Sequence, residues 1–232
     1  MAKLIWDAVG EHYYGIGVSK GVLFPMNADG TYAKGVAWNG LTAVNENPSG
    51  AEPNPQYADN IKYLNLISVE EYGYTIEAFG CPKEFLECDG TAEAATGVYL
   101  GQQPRKPFGF VFESKKGNDI LGSDYGKEIH LIYNSLATPT EKQHATENDS
   151  PEAPTWSWEA TSTAVGVTNA SGVTLTNAKT NKPYKPVSCI TIDSTLVAAA
   201  KLTALEDLLY GTENGEPTLP SPGEVIAMFT TT

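Results

Sequence analysis

Residues 72–79 read YGYTIEAF, and their alternation decides the fold class. Side chains along a strand point to opposite faces with a period of two, so Tyr72, Tyr74, Ile76 and Ala78 share one face. Thr75 and Glu77, in register with Glu71, share the other. An aromatic and aliphatic face backed by a polar one is the pattern of a half-buried strand. Working outward, residues 36–44 (VAWNGLTAV), 61–69 (IKYLNLISV), 108–113 (FGFVFE), 128–133 (EIHLIY) and 156–167 (WSWEATSTAVGV) are enriched in β-branched and aromatic residues, and 189–192 (CITI) alternates again. Turn formers separate them at 27–30 (NADG), 88–90 (CDG), 116–119 (KGND) and 169–172 (NASG). Short strands punctuated in this way predict a mainly β chain, a sandwich or barrel rather than alternating βα units.

One helix is predicted, over residues 197–210 (VAAAKLTALEDLLY), with Leu202, Leu205 and Leu209 on one stripe. Ser194 or Thr195 is its expected cap, and Gly211 stands where a left-handed residue is wanted. Residues 224–229 read as a last strand or a turn of helix. A possible short helix precedes Gly15. Two stretches interrupt the strand rhythm. Residues 45–60 (NENPSGAEPNPQYADN) carry prolines at 48, 53 and 55, and residues 138–154 (TPTEKQHATENDSPEAP) have the same character. Both predict long connections without structure of their own, reaching outward as arms. Residues 166–186 are left open between an external hairpin and an irregular excursion. At 232 residues, one large β domain or two small ones fit the length.

The chain offers little chemistry. Twenty-eight acidic against fifteen basic side chains leave a formal net charge of −13, which opposes gripping nucleic-acid phosphates or an anionic bilayer through a basic patch. Cys81, Cys88 and Cys189 have no metal-ligand spacing and read as reduced thiols. His12, His130 and His144 share no metal-like spacing either, and His130 reads as a packed ring on a strand. There is no GxSxG elbow. Gly15 to Gly21 (GIGVSKG) resembles a phosphate cradle only superficially, since it lacks GxxxxGK[ST]. Glu77 with Glu113 is one of many possible glycosidase-like carboxylate pairs in an acidic protein. Trp156 and Trp158, two apart on a strand, point the same way and form either a core face or a sugar-stacking platform. No apolar run fits a signal peptide or a membrane span, so cytosolic synthesis is expected.

Read in order, the segments LIWDAVGEHYYGIGVSKGVLF, KGVAWNGLTAVNENPSGAEPNPQYADNIKYLNL, YTIEAFGCPKEFLECDG, GQQPRKPFGFVFESKKGND, EIHLIYNSLA, NDSPEAPTWSWEATSTAV and ITIDSTLV resemble the major tail, or tail-tube, proteins of long-tailed siphophages and prophages of Gram-positive bacteria. The resemblance covers nearly the whole chain and is most specific over residues 35–66. Residues 166–186, longer than the family pattern, and the Ala198 to Ala200 run depart from it. It implies a single tail-tube domain over 1–232, a β sandwich with one flanking helix. Six copies would close into a ring, and stacked rings would form a virion tail tube through which DNA passes to the host without specific binding. It implies no enzymatic role, no catalytic residue, no metal and no cofactor. The implied partners are further copies of the chain, with tape-measure, tail-terminator and baseplate or initiator proteins. The ring-stacking loop maps onto Asn47, Pro48, Ser49, Gly50, Ala51, Glu52, Pro53, Asn54, Pro55 and Tyr57. Glu71, Thr75 and Glu77 are the expected channel-facing residues, because an acidic wall repels the polyanion that must slide along it. The competing expectations are a carbohydrate-binding β sandwich of a baseplate or cell surface, using Trp156 and Trp158, and a carboxylate-pair hydrolase.

Overall fold

The strands of this chain, described here from a computed structural model covering residues 4, 6–144, 146, 149 and 153–230, follow one another closely. They begin with β1 (Tyr13–Pro25), β2 (Val36–Trp38), β3 (Leu41–Glu46), β4 (Ser49–Gly50), β5 (Pro53–Ala58), β6 (Ile61–Ile67) and β7 (Glu70–Ala78). A short helix α1 (Phe85–Cys88) leads to β8 (Ala92–Ala95), β9 (Val98–Leu100), the long pair β10 (Phe108–Asn118) and β11 (Gly122–Ala137), and β12 (Trp156–Ser162). Then come β13 (Thr176–Asn177), β14 (Lys182–Pro183), β15 (Cys189–Asp193), α2 (Ala199–Tyr210) and α3 (Pro222–Thr230). The chain is mainly β, as the alternation predicts.

The principal sheet is antiparallel and runs β2-β1-β10-β11-β12-β7-β3, with β15 beside β11. Its two ends are one piece of chain. Only Asn39 and Gly40 separate β2 from β3, so residues 36–46 form a kinked strand that pairs with β1 before the kink and with β7 after it. The path therefore curls back on itself into a barrel-like sandwich. Gly40, at φ +79°, supplies the kink, and Gly21 lets β1 approach it: a Cβ there would lie 2.6 Å from Leu41 Cδ1 and 2.9 Å from the Trp38 carbonyl oxygen. The opposite corner is β11, which pairs with β15 over residues 128–132 and with β12 over 135–137. Asn134, at φ +43°, marks the change of partner.

Two apolar layers result. Inside the sandwich, Trp38, Tyr74, Ile76, Phe85, Phe108, Phe110 and Trp158 form an aromatic core, with Trp38 and Phe85 ring centroids 4.5 Å apart and Trp38 and Trp158 5.5 Å apart. Through Phe85 and Cys88, helix α1 plugs the end of the sandwich where β7 finishes and β10 begins. On the outer face of β1, β10, β11 and β15, Val111, Ile129, Leu131 and Ile192 pack against Leu205 and Leu209 of α2 and Val225 of α3. The leucine stripe thus covers a sheet, as its spacing predicts.

Several expectations are corrected. Among the described residues no helix precedes Gly15; residues 13–25, including the glycine-rich run, form β1, whose glycines fit two register shifts rather than a phosphate cradle. Neither Ser194 nor Thr195 caps α2: Ala198 holds the N-cap position without a side-chain bond, Ser194 Oγ accepts from the Lys127 amide, and Asp193 Oδ1 accepts from the Thr195 amide at 2.9 Å. Of the two readings of residues 224–229, the helical one holds: they lie inside α3. Within 138–154, the described residues 138–144 lie along the body instead of reaching outward. The Thr138 amide and Thr140 hydroxyl donate to carbonyls of β12, and Lys142 bonds Asp89. Residues 145, 147, 148 and 150–152 of that stretch lie outside the described residues. Residues 166–186, left open by the sequence, form two successive small hairpins, one at the Thr168–Thr174 bridge and one at the β13–β14 pair, with the Val165–Val187 bridge closing their base.

Candidate assembly surfaces

Residues 45–60 lack neither structure nor a partner. Ser49 and Gly50 continue the edge of β7 opposite Glu71 and Glu70, and beyond them β5 and β6 pair with each other into a hairpin arm. Asp59 and Asn60, both left-handed at φ +50° and +61°, form its two-residue turn, the geometry whose twist matches flanking strands. Each strand of the arm spans about 20 Å at ~3.3 Å per residue. Pro53 and Pro55 sit in β5 because it is an edge strand, so their missing N–H groups interrupt no ladder on the solvent side.

The arm buries almost nothing in its own chain. Tyr57 is 71% exposed, Tyr63 and Ile67 each 67%, and Ile61, Leu64, Leu66 and Val69 are exposed as well. An isolated two-stranded hairpin with this much apolar surface and only Asp59 and Lys62 to charge it is marginal in water: Pro53 and Pro55 blunt the edge of β5, but its apolar faces stay uncovered. The expected stacking residues Asn47, Pro48, Ala51 and Glu52 form its root, Ser49 and Gly50 are β4, and Pro53, Asn54, Pro55 and Tyr57 belong to β5. Sequence reasoning read 61–69 as a strand but did not place it in the arm, because IKYLNLI is as apolar as a core strand. The missed signal was the Asp-Asn pair between two β runs.

Beside the arm's root lies a polar sheet face. Tyr72, Tyr74, Ile76 and Ala78 are buried, while Glu71 is exposed and Thr75 and Glu77 are half-exposed, so β7 orients as its alternation predicts. Glu159 stands opposite Thr75, Ser157 opposite Glu77 and Thr161 opposite Gly73 on β12, and Asn45 stands opposite Thr75 on β3. Asn45 Nδ2 donates to Glu77 Oε1 at 3.0 Å, and Asn47 Nδ2 donates to Thr75 Oγ1 at 3.4 Å. Strands β3, β7 and β12 together hold five glutamates and no lysine or arginine. Several lysines lie on the other half of the sandwich, each held by carboxylates: Lys20 and Lys127 both reach Glu113 Oε2, at 3.4 and 3.2 Å, and Lys116 pairs with Asp193. The charge asymmetry is therefore built into the fold. Among the described residues, strand β3 pairs with β7 alone and leaves its other backbone edge without a strand partner.

The remaining candidates do not converge. Trp158 is fully buried against Trp38 and Phe85, and half-buried Trp156 has Lys142 and His144 against its ring, so the two present no open stacking platform. Glu77 faces outward from β7, whereas Glu113 faces α2 and also accepts from the Tyr210 hydroxyl at 3.2 Å, with β12 and β11 between them. His130 stacks on Phe112 at 4.4 Å and bonds Ser114 Oγ at 2.9 Å, and burial holds its pKa below the usual value. Burial pushes the Cys88 thiol up to about 12 and raises Cys81 and Cys189, so all three stay protonated and unreactive at neutral pH. Among the described residues no three His, Cys, Asp or Glu side chains are grouped to hold a metal ion, and no helix is long and apolar enough to cross a membrane.

No protein-family model matches the chain, and no curated protein matches it.

Proposed function

We propose that this chain is a structural subunit of a phage-type tail tube, which completes its structure against copies of itself. Rings of the subunit, six to a ring by the family resemblance, stack along an axis. The β3–β7–β12 face, with Glu71, Thr75 and Glu77, lines the channel, and the β5–β6 arm reaches a neighbouring copy. Tape-measure, terminator and baseplate proteins are the further partners of such a tube. The observation that carries this reading is the arm: a long, apolar, nearly uncharged hairpin exposed to solvent, rooted beside the acidic β3, β7 and β12 strands, which carry no lysine or arginine, with the outer edge of β3 unpaired among the described residues. A monomer gains nothing from such a feature, and an assembly buries it. The acidic face suits a conduit, because it offers DNA no counterion-releasing contact on which to stall.

Negative-stain microscopy of the purified chain over a range of concentration and salt tests this reading. Hollow rings or tubes of uniform diameter are the expected result. Strictly monomeric protein under every condition would overturn it.

A further inference from the structure

Strand β7 joins two exposed apolar surfaces, one at each of its ends. Before Glu70 lies the arm; after Ala78 lie Phe79, α1 and the β8–β9 hairpin, where Phe79, Val98, Tyr99 and Leu100 are all exposed. Because the two surfaces stand at opposite ends of one strand, they cannot cover each other within a single chain. A second copy in the same orientation brings them together, as a head-to-tail contact that repeats indefinitely.

Shape and charge match across that contact. Between α1 and the β8–β9 hairpin runs a cleft of about 230 Å3, walled by Leu86, Thr91 and Tyr99 and carrying Glu84, Glu87 and Glu93 against the single cation Lys83. Lys83 is taken up by Glu93 at 2.6 Å and Glu87 is met by Lys106 at 3.2 Å, which leaves Glu84 exposed and, among the described residues, without an ion pair. Lys62, the only basic residue between Lys34 and Lys83, stands beside the tip of the arm opposite Tyr57, with Ile61 and Tyr63 on either side, and likewise forms no ion pair among the described residues. Among the described residues, the apolar arm thus carries one cation without an ion pair at its tip, and the mostly charged cleft, with Leu86 and Tyr99 in its wall, one such anion at its rim.

We infer that the α1/β8–β9 cleft of one copy receives the arm tip of the next, with the Lys62 ammonium against Glu84 and Tyr57, Ile61 and Tyr63 against Tyr99 and Leu100. This rests on the reading of the chain as a self-assembling tube subunit and names the surface that takes the arm.

Charge reversal tests it. In the full chain, Lys62→Glu and Glu84→Lys should each raise the critical concentration for sedimentable polymer by at least about tenfold, since like charges juxtaposed at an interface cost several kcal/mol. The double variant, carrying both reversals, should recover most of that loss. Both positions are exposed, and circular dichroism of each variant reports retained folding. Hollow tubes that ignore the single reversals, or a double variant that recovers nothing, would overturn the docking and leave the tube reading in place. Solid filaments or open chains that respond to the swap would keep the docking and overturn the tube. Wild-type chain that never polymerises would overturn both.

Discussion

Leu205 and Leu209 are fully buried one turn apart on α2, whereas Leu208 between them is exposed. Leu205→Ala should therefore destabilise the fold by roughly 2 to 5 kcal/mol, while Leu208→Ala should stay within about 0.5 kcal/mol, both read as urea midpoints at constant slope. The spacing of these leucines was legible because a helical stripe is a local property of the chain. The start of α3 is as legible, in a local motif. Ser221-Pro222-Gly223-Glu224 is a capping box with proline at the first helical position: Ser221 Oγ accepts from the Glu224 amide at 3.3 Å, and Glu224 Oε2 accepts from the Ser221 amide at 2.8 Å. What no reading of that tetrapeptide shows is why Gly223 follows. A Cβ there would lie 1.7 Å from the Thr168 carbonyl oxygen, so the glycine lets α3 press directly on the backbone of the 165–187 hairpin.

At the scale of elements, the arm shows how far local pattern carries. Residues 61–67 are a strand, as their composition predicts, yet every one of them is exposed. Apolar content says that a segment wants a partner; it does not say whether that partner lies in the same chain. Since the arm packs on nothing in its own chain, joining Gly50 to Val69 through an Asn-Gly turn in place of residues 51–68 should move Tm by less than about 4 °C, the shift that ~1 kcal/mol produces in a domain of this size. The same excision should abolish polymers in sedimentation and microscopy. Loss of the fold itself would show that the arm supports the body. Strand β1 is the complementary case: its glycines and lysine suppressed the strand signal, and only the two register shifts against β10 explain how they fit a sheet.

For the whole molecule, the consequence of the fold is a separation of charge. The glutamates of β3, β7 and β12 share one half of the sandwich, with no cation on those strands to neutralise them. Replacing Glu71 and Glu77 together by lysine should leave polymer formation largely intact, because both side chains point away from the core. Tubes of that variant should retain linear duplex DNA at low salt and release it as salt rises, whereas wild-type tubes should not retain it, and virions built from the variant should deliver DNA poorly. Gel retention at 50 and 200 mM salt distinguishes these outcomes. DNA ignored equally by both tubes would remove Glu71 and Glu77 from the channel wall.

By itself the sequence determined the mainly β class, the two-faced character of 71–78 and a helix over 197–210, which the fold begins at Ala199, because each follows from a periodicity written into neighbouring residues. Only the tertiary structure decided that residues 36–46 are one kinked strand closing the sandwich, that β11 divides its edge between β15 and β12, and that IKYLNLI stands outside the body. Those outcomes depend on which distant backbone answers each strand's hydrogen bonds, and that choice is made by the whole chain at once.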